Sequence, residues 1–290
     1  MTRSTSRRRM APQTLTSDDE GNRIMARRKT IRDIHRLYAD QTPITMVTAY
    51  DFTFARLVEK AALDIILIGD SLGNVIQGHD TTVPVEVDDI IYHTRAVIRG
   101  NRSAHILSDL PFMSYQASAE DGLRNAGRLL KEGGAQAVKL EGGESLCPMV
   151  HRMVEAGIPV VGHLGLTPQS VHAFGGYRVQ GRDDAAAERL LADARALQDA
   201  GIYMLVLEMV PAELAHRVTE LLSIPTIGIG AGNQTSGQVL VIQDLLGMNT
   251  DFQPRFVKRF ANLEDTIVDA LSAYGDEVHS RAFPDDDHAY

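Results

Sequence analysis

Short apolar runs rich in β-branched residues recur along the chain, separated by longer stretches whose apolar positions return every three to four residues. The runs fall at 45–49, 65–69, 105–109, 137–141, 159–163, 204–208, 226–230 and 239–243. Near-continuous apolar character is what a parallel strand covered on both faces requires, because neither side-chain direction meets water. The longer stretches predict helices over 52–62, 87–100, 119–132, 146–156, 184–200 and 212–222, with a C-terminal helix over 255–274. Gly100, Gly134, Gly157 and Gly201 stand where helices are expected to stop. Another segment, Ile31–Ala39, puts Ile31, Ile34 and Leu37 on one helical face and is predicted to close the bottom of the fold.

Eight strands alternating with helices admit two architectures, a (β/α)8 barrel or a doubly wound sheet. The first strand-to-helix turn reads Thr48-Ala49-Tyr50-Asp51-Phe52 and lacks the Gly-x-Gly-x-x-Gly of a dinucleotide-binding sheet. Eight strands suit barrel closure, so a (β/α)8 TIM barrel is expected. A chain of 290 residues holds one such barrel with short extensions. The connection 231–239 leaves room for at most a very short helix between the last two strands. No repeat or low-complexity linker marks a second domain, so residues 30–290 are read as one catalytic barrel.

Composition narrows the class. Hydrophobic residues at 44% and charged residues at 23% are ordinary for a soluble globular chain, and no apolar run reaches membrane-spanning length. The one cysteine, Cys147, excludes an intrachain disulfide and has no activating charge beside it, which fits a reducing cytoplasm and an inert thiol. Residues 1–29 carry eight basic and three acidic side chains and no apolar signal stretch. They are read as a disordered basic tail. Subtracting that tail's +5 from the net −9 leaves −14 on the rest, which argues against nucleic acid as the barrel's partner.

The chemistry gathers where strands end. The second strand leads into Asp70-Ser71, the third ends at Asp109, the fourth holds Lys139 and Glu141, the fifth holds His163, and the sixth ends at Glu208. In a barrel these ends share one rim, where active sites are built. Buried charges are costly unless paired, so the set calls for a common reason. A divalent cation supplies one: Asp70, Asp109 and Glu141 offer the hard oxygen donors that Mg²⁺ prefers. Lys139 and Glu141, two apart, point to the same face, which sets an ammonium beside the cation for an anionic substrate. Glu208 is followed by Met209, Val210 and Pro211, whose desolvation suits a general base; the other reading makes it a partner of His163 or Lys139. His163 is read as a base, a hydrogen-bond donor to substrate, or a satisfied core histidine. The loop Gly228-Ile229-Gly230-Ala231-Gly232 is either a phosphate cradle or a set of tight-turn glycines, and 71–86 is either a mobile lid or static packing.

Several motifs then align with one family. Gly69-Asp70-Ser71-Leu72-Gly73, Gly78-His79-Asp80-Thr81-Thr82-Val83-Pro84, Asp109-Leu110-Pro111-Phe112, Lys139-Leu140-Glu141-Gly142-Gly143, Gly162-His163-Leu164-Gly165-Leu166-Thr167-Pro168-Gln169-Ser170, Phe174-Gly175-Gly176-Tyr177 and Ile227-Gly228-Ile229-Gly230-Ala231-Gly232 resemble ketopantoate (3-methyl-2-oxobutanoate) hydroxymethyltransferases, from about Ile31 to Tyr290. The resemblance implies a barrel of the phosphoenolpyruvate/pyruvate superfamily, assembled as a homodecamer. It implies Mg²⁺ on Asp70, Asp109 and Glu141, the last directly or through water. Ser71 and Lys139 would hold the 2-oxo acid, with Asp70, Asp109 and His163 around it, and Glu208 would accept the proton. The co-substrate would be 5,10-methylenetetrahydrofolate. A Mg²⁺-dependent C–C or P–C lyase of the same superfamily is the competing enzyme class, weakened by the lack of a cysteine placed as a lyase acid. A non-catalytic protein binding nucleic acid through the tail is the other alternative, and it leaves the strand-end carboxylates without a purpose.

Overall fold

In the computed structural model, residues 27–250 and 254–290 are described. Eight parallel strands close into a barrel in chain order: β1 (Ile44–Thr48), β2 (Ile65–Ile68), β3 (His105–Asp109), β4 (Ala137–Glu141), β5 (Val160–Gly165), β6 (Met204–Glu208), β7 (Thr226–Ile229) and β8 (Gly237–Leu240). Around and between them lie α1 (Ile31–Ala39), α2 (Phe52–Lys60), α3 (Leu72–Val75), α4 (Val87–Gly100), α5 (Ala119–Arg128), α6 (Cys147–Glu155), α7 (Val171–Phe174), α8 (Asp184–Asp199), α9 (Ala212–Leu221), α10 (Ile242–Leu245) and α11 (Leu263–Ser280). No helix among the described residues is long and apolar enough to cross a membrane.

The two-residue period of the strands divides the apolar side chains into two cores. Met46, Ile65, Leu67, Leu107, Ala137, Val161, Val206, Ile227 and Val239 face inward and fill the barrel. Their chain neighbours, among them Val47, Ile66, Ile106, Val138, Leu140, Val160 and Leu207, face outward and pack under the helices. The expected bottom helix is α1: Ile34 is fully buried in the inner core, and Ile31 and Leu37 pack against it. Arg28 and Lys29, assigned to the tail from sequence, lie against the barrel. The Arg28 guanidinium donates to Asn101 O at 2.5 Å, and Lys29 Nζ lies 3.3 Å from Asp64 Oδ1. Residues 1–26 of the expected tail lie outside the described residues.

Three expectations shift. The eighth strand runs Gly237–Leu240 rather than 239–243, because Gly237 pairs with Ile44 and Ile227, and a Cβ there would sit 2.3 Å from Ile44 O. Beyond it Ile242 N donates to Thr48 Oγ1, which starts α10 where strand was expected. The C-terminal helix begins at Leu263 instead of 255, with Glu264 and Asp265 in its first turn, where carboxylates favour a helix start. Gly100 ends inside α4 rather than beyond it, with Phe52 O only 2.4 Å from where a Cβ would be, so it serves close packing of α4 on α2. No helix occurs between β7 and β8, as the short connection foretold.

Below the rim, His105 is 1% exposed, with Nε2 2.9 Å from Tyr203 OH and Nδ1 3.2 Å from Lys29 O. Burial lowers its pKa from 6.5 to about 4. The unfolded chain therefore takes up this proton first. Its stability contribution is intact above pH 6.5 and falls as pH drops toward 4, by about 3 kcal/mol in all. Urea titrations of wild type and His105→Asn over pH 4–7 will show the wild type losing that extra stability relative to the variant; parallel curves would refute it.

Candidate active site

Strand register decides which charged side chains meet. In the parallel ladder Asp109 stands opposite Lys139, Glu141 opposite His163, and Glu208 opposite Gly165. Lys139 and Glu141 continue the inward row begun by Ala137, one and two layers nearer the C-terminal rim. Asp70 lies two residues past β2, and its backbone N donates to Asp109 Oδ2 at 3.0 Å. The rim therefore brings together all six ionisable residues singled out in the sequence.

They form one chain of contacts. Lys139 Nζ lies 3.2 Å from Asp109 Oδ1 and 3.3 Å from His163 Nδ1. His163 Nδ1 is 3.3 Å from Glu141 Oε1, and Nε2 is 3.3 Å from Glu208 Oε2. Nδ1 can accept from Lys139 only as the free base and donate to Glu141 only when protonated. Burial and the Lys139 charge push the imidazole down, but Glu141 and Glu208 outweigh them and raise it to about 9, so the imidazolium is the form at neutral pH. Lys139 is raised too: burial opposes its charge, and Asp109, Glu141 and Asp70 overcome burial. Glu141 is held low against its burial, chiefly by His163 and Lys139.

The carboxylates still outnumber the cations. Asp70, Asp109, Glu141 and Glu208 face one ammonium and one imidazolium, an excess of two negative charges. Asp70 carries the consequence: burial first, then the charges of Glu141 and Asp109, push its carboxyl well above the usual range. Asp109 is raised by burial despite Lys139. Asp109 Oδ1 and Glu141 Oε1 are buried and accept no well-aligned hydrogen bond, although each has a cation near. Oxygens without partners beside surplus negative charge form a donor set suited to a cation. Among the described residues, no three His, Cys, Asp or Glu side chains are already gathered tightly enough to cage an ion. The three expected ligands thus share a rim without closing on one point.

Other sequence readings resolve locally. Glu208 pairs with His163, as its second reading had it, and it is also the most accessible carboxylate of the cluster, with a side chain 16% exposed. Its backbone is fixed tightly. Leu166 N donates to Glu208 O at 2.8 Å, and a Cβ on Gly165, at φ +94°, would fall 2.2 Å from that oxygen. Ser71 Oγ meets the buried Tyr50 hydroxyl at 2.8 Å. The segment after α3 is packed at its far end, where Thr82 and Val85 are buried, and exposed around His79–Asp80. The glycines at 228 and 232 are explained by contacts: added Cβ atoms would meet Thr235 Oγ1 at 2.8 Å and Ala212 Cβ at 2.6 Å.

Sequence reasoning passed over Gln169, Tyr115 and Tyr177. Gln169, 4% exposed, lies within hydrogen-bond distance of both Asp70 and Glu141. The Tyr115 hydroxyl accepts from Glu141 N at 3.0 Å. Burial, followed by the charges of Glu208, Asp70 and Glu141, raises the Tyr177 phenol. Only Gln169 had a signal, its place just beyond the fifth strand end; the tyrosines reach the site from connecting segments. The charge balance has a measurable consequence. Lys139→Met leaves the carboxylates short of their main cation and will lower folding stability by about 3–5 kcal/mol at pH 7.5. Denaturant titration will find the loss shrinking toward pH 5 as carboxyls protonate; an unchanged midpoint at pH 7.5 would contradict the assigned balance.

The barrel's general likeness is to lyases and mutases. A 2,3-dimethylmalate lyase of the PEP mutase/isocitrate lyase superfamily superposes with TM-score 0.58 at 15% identity, over 89% of this chain and 88% of that one. A phosphonopyruvate hydrolase solved with oxalate and Mg²⁺ gives 0.58 at 11% identity, over 90% and 93%. At such identities the fold alone is shared. Sequence goes further. The 3-methyl-2-oxobutanoate hydroxymethyltransferase of Moorella thermoacetica is 57% identical over 247 residues, 85% of this chain and 92% of that protein. That of Salinibacter ruber is 52% identical over 263 residues, 91% and 99% of the two chains. The profile of the ketopantoate hydroxymethyltransferase family matches residues 28–286, so the chain belongs to that family.

Proposed function

We propose that the chain transfers a hydroxymethyl group from 5,10-methylenetetrahydrofolate to 3-methyl-2-oxobutanoate, giving 2-dehydropantoate and tetrahydrofolate, the first committed step of pantothenate biosynthesis. The observation that carries this reading is the rim cluster, where surplus carboxylate charge surrounds a buried ammonium in a chain of this family. The bonds balance. The C3–H bond of the oxo acid breaks, and a bond forms between C3 and the folate methylene carbon. Both C–N bonds to that carbon break, and water supplies the new hydroxyl. The C3 proton and water's second proton end on the two folate nitrogens.

Asp70 and Asp109 would hold Mg²⁺ directly and Glu141 through water, a division in keeping with the few carboxylates this ion takes. When bound, Mg²⁺ supplies Lewis-acid polarisation of the 2-oxo group and neutralises charge developing there. Lys139 and Ser71 hold the oxo acid's anionic and carbonyl oxygens, Lys139 with an ammonium that burial leaves little water to screen. Glu208, the most accessible carboxylate, takes the C3 proton; His163, with Nε2 3.3 Å from Glu208 Oε2, orients it. The family resemblance adds a cytoplasmic homodecamer. The apolar side chains that α11 leaves exposed, Val268, Leu271 and Tyr274, suit a chain that works in an assembly.

Two measurements test the roles. Incubated with Mg²⁺ and the oxo acid in D₂O, wild type will wash out the C3 proton, and Glu208→Gln will do so at least about 100-fold more slowly; exchange at the wild-type rate removes Glu208 as the base. In the full assay, 2-dehydropantoate will form only with methylenetetrahydrofolate and Mg²⁺ present. Asp109→Ala will need at least about tenfold more Mg²⁺ for half-activation. Turnover independent of the folate points to a lyase, and an unshifted Mg²⁺ titration takes Asp109 out of the metal site.

A further inference from the structure

Gln169 belongs to none of the roles described so far, yet it has the densest polar contacts at the rim. It sits in the single 3-10 turn Pro168–Ser170 after β5 and is 4% exposed. Its side-chain NH₂ donates to Asp70 Oδ2 at 2.8 Å and to Leu110 O at 3.0 Å. Its Oε1 lies 2.8 Å from the Tyr115 hydroxyl and 3.1 Å from Gln116 Nε2, both able to donate. Its backbone N donates to Glu141 Oε2 at 3.0 Å. A carboxylate and a carbonyl can only accept, so the amide's orientation is fixed by its partners. All four side-chain hydrogen-bond positions are used.

What this residue grips is selective. It ties the loop after β2, the loop after β3 and the end of β4 to the loop after β5. It takes one oxygen of each of two carboxylates, Oδ2 of Asp70 and Oε2 of Glu141. Glu141 Oε1 is left without a hydrogen bond. Asp70 and Glu141 repel one another in a buried setting, and no cation in the cluster touches Asp70 within ion-pair distance among the described residues. Two donors from one residue hold the pair at a fixed spacing against that repulsion. Tyr115 stiffens the arrangement, because its hydroxyl meets both Gln169 Oε1 and Glu141 N.

We infer that Gln169 is a positioning residue that presets Asp70 and Glu141 to receive a divalent cation, with Tyr115 holding it in place. This rests on the metal reading given under the proposed function. Partners of metal ligands commonly change affinity 10–100-fold when removed, and that is the effect expected here.

The test uses the full-length chain and Mn²⁺ as the probe, with free ion followed by electron paramagnetic resonance. Wild type, Asp109→Ala, Gln169→Met and Tyr115→Phe are titrated, and turnover is measured against Mg²⁺ concentration. Gln169→Met is expected to bind Mn²⁺ about 10–100-fold more weakly, with turnover recovering at saturating Mg²⁺. Tyr115→Phe, which removes one hydroxyl and preserves bulk, is expected to weaken binding several-fold; it decides the matter should Gln169→Met not fold. Wild-type Mn²⁺ affinity in Gln169→Met, or in Tyr115→Phe where only that variant folds, overturns the inference and leaves the metal reading standing. A turnover defect that no Mg²⁺ concentration relieves also overturns it. If wild type binds no Mn²⁺, or binds it as Asp109→Ala does, the metal reading falls and the inference falls with it.

Discussion

A charge taken out of water has to be balanced within a few ångströms, and the mouth of this barrel is organised by that requirement. Six ionisable side chains from five successive strands or their ends share one buried layer. Two cations answer four carboxylates: Lys139 pairs with Asp109, and His163 stands between Glu141 and Glu208. Because the set is linked through Lys139 and His163, no member can be moved or neutralised alone. Asp70 is the carboxylate without an ion-pair partner in the cluster, and burial with the charges of Glu141 and Asp109 pushes its carboxyl up.

The rest of the fold makes such a layer affordable. Beneath it the barrel is filled by apolar side chains, and α1 closes the lower end with Ile34, so water is kept from below. The outer core presses helices onto the backs of the same strands and keeps their register from slipping. Register matters more here than in an ordinary sheet, since a one-residue slip in β4 would turn Lys139 and Glu141 outward and Val138 and Leu140 inward. Close backbone approaches finish the placement. Gly165 lets β5 lie against the Glu208 carbonyl, and Met209 follows at φ +44°, a conformation held by its N–H bond to Ile229 O and by Gln180 N on its own carbonyl.

The family assignment and the geometry answer different questions. Relatedness says which chemistry the residues belong to, and it says so through motifs spread over most of the chain. The geometry says how the residues depend on one another, above all that Glu208 reaches the carboxylate cluster through His163. It also separates the carboxylates by accessibility, leaving Glu208 most open and Asp109 and Glu141 enclosed.

Strand count, alternation with helices and the polar ends of five strands were legible because each rests on a short-range period that the backbone imposes locally. Five of the eight strands begin at the expected residue, and every ionisable residue named at the strand ends lies on the shared rim. The eighth strand and the last helix were misplaced, because Gly237 answers to Ile44 across the closing seam and α11 starts at a first turn marked by Glu264 and Asp265, which apolar spacing does not show. The contacts of Gln169 and Tyr115 were not legible for the same reason. They act from connecting segments, 99 positions from Asp70 for Gln169 and 26 from Glu141 for Tyr115, and only barrel closure brings them there. The chain's own pattern determined which residues would stand at strand ends facing inward. Which of them touch, which share a charge and which uncharged side chains hold them apart was decided by the ring closing, since contact across a barrel is set by strand order and register and leaves no period in the sequence.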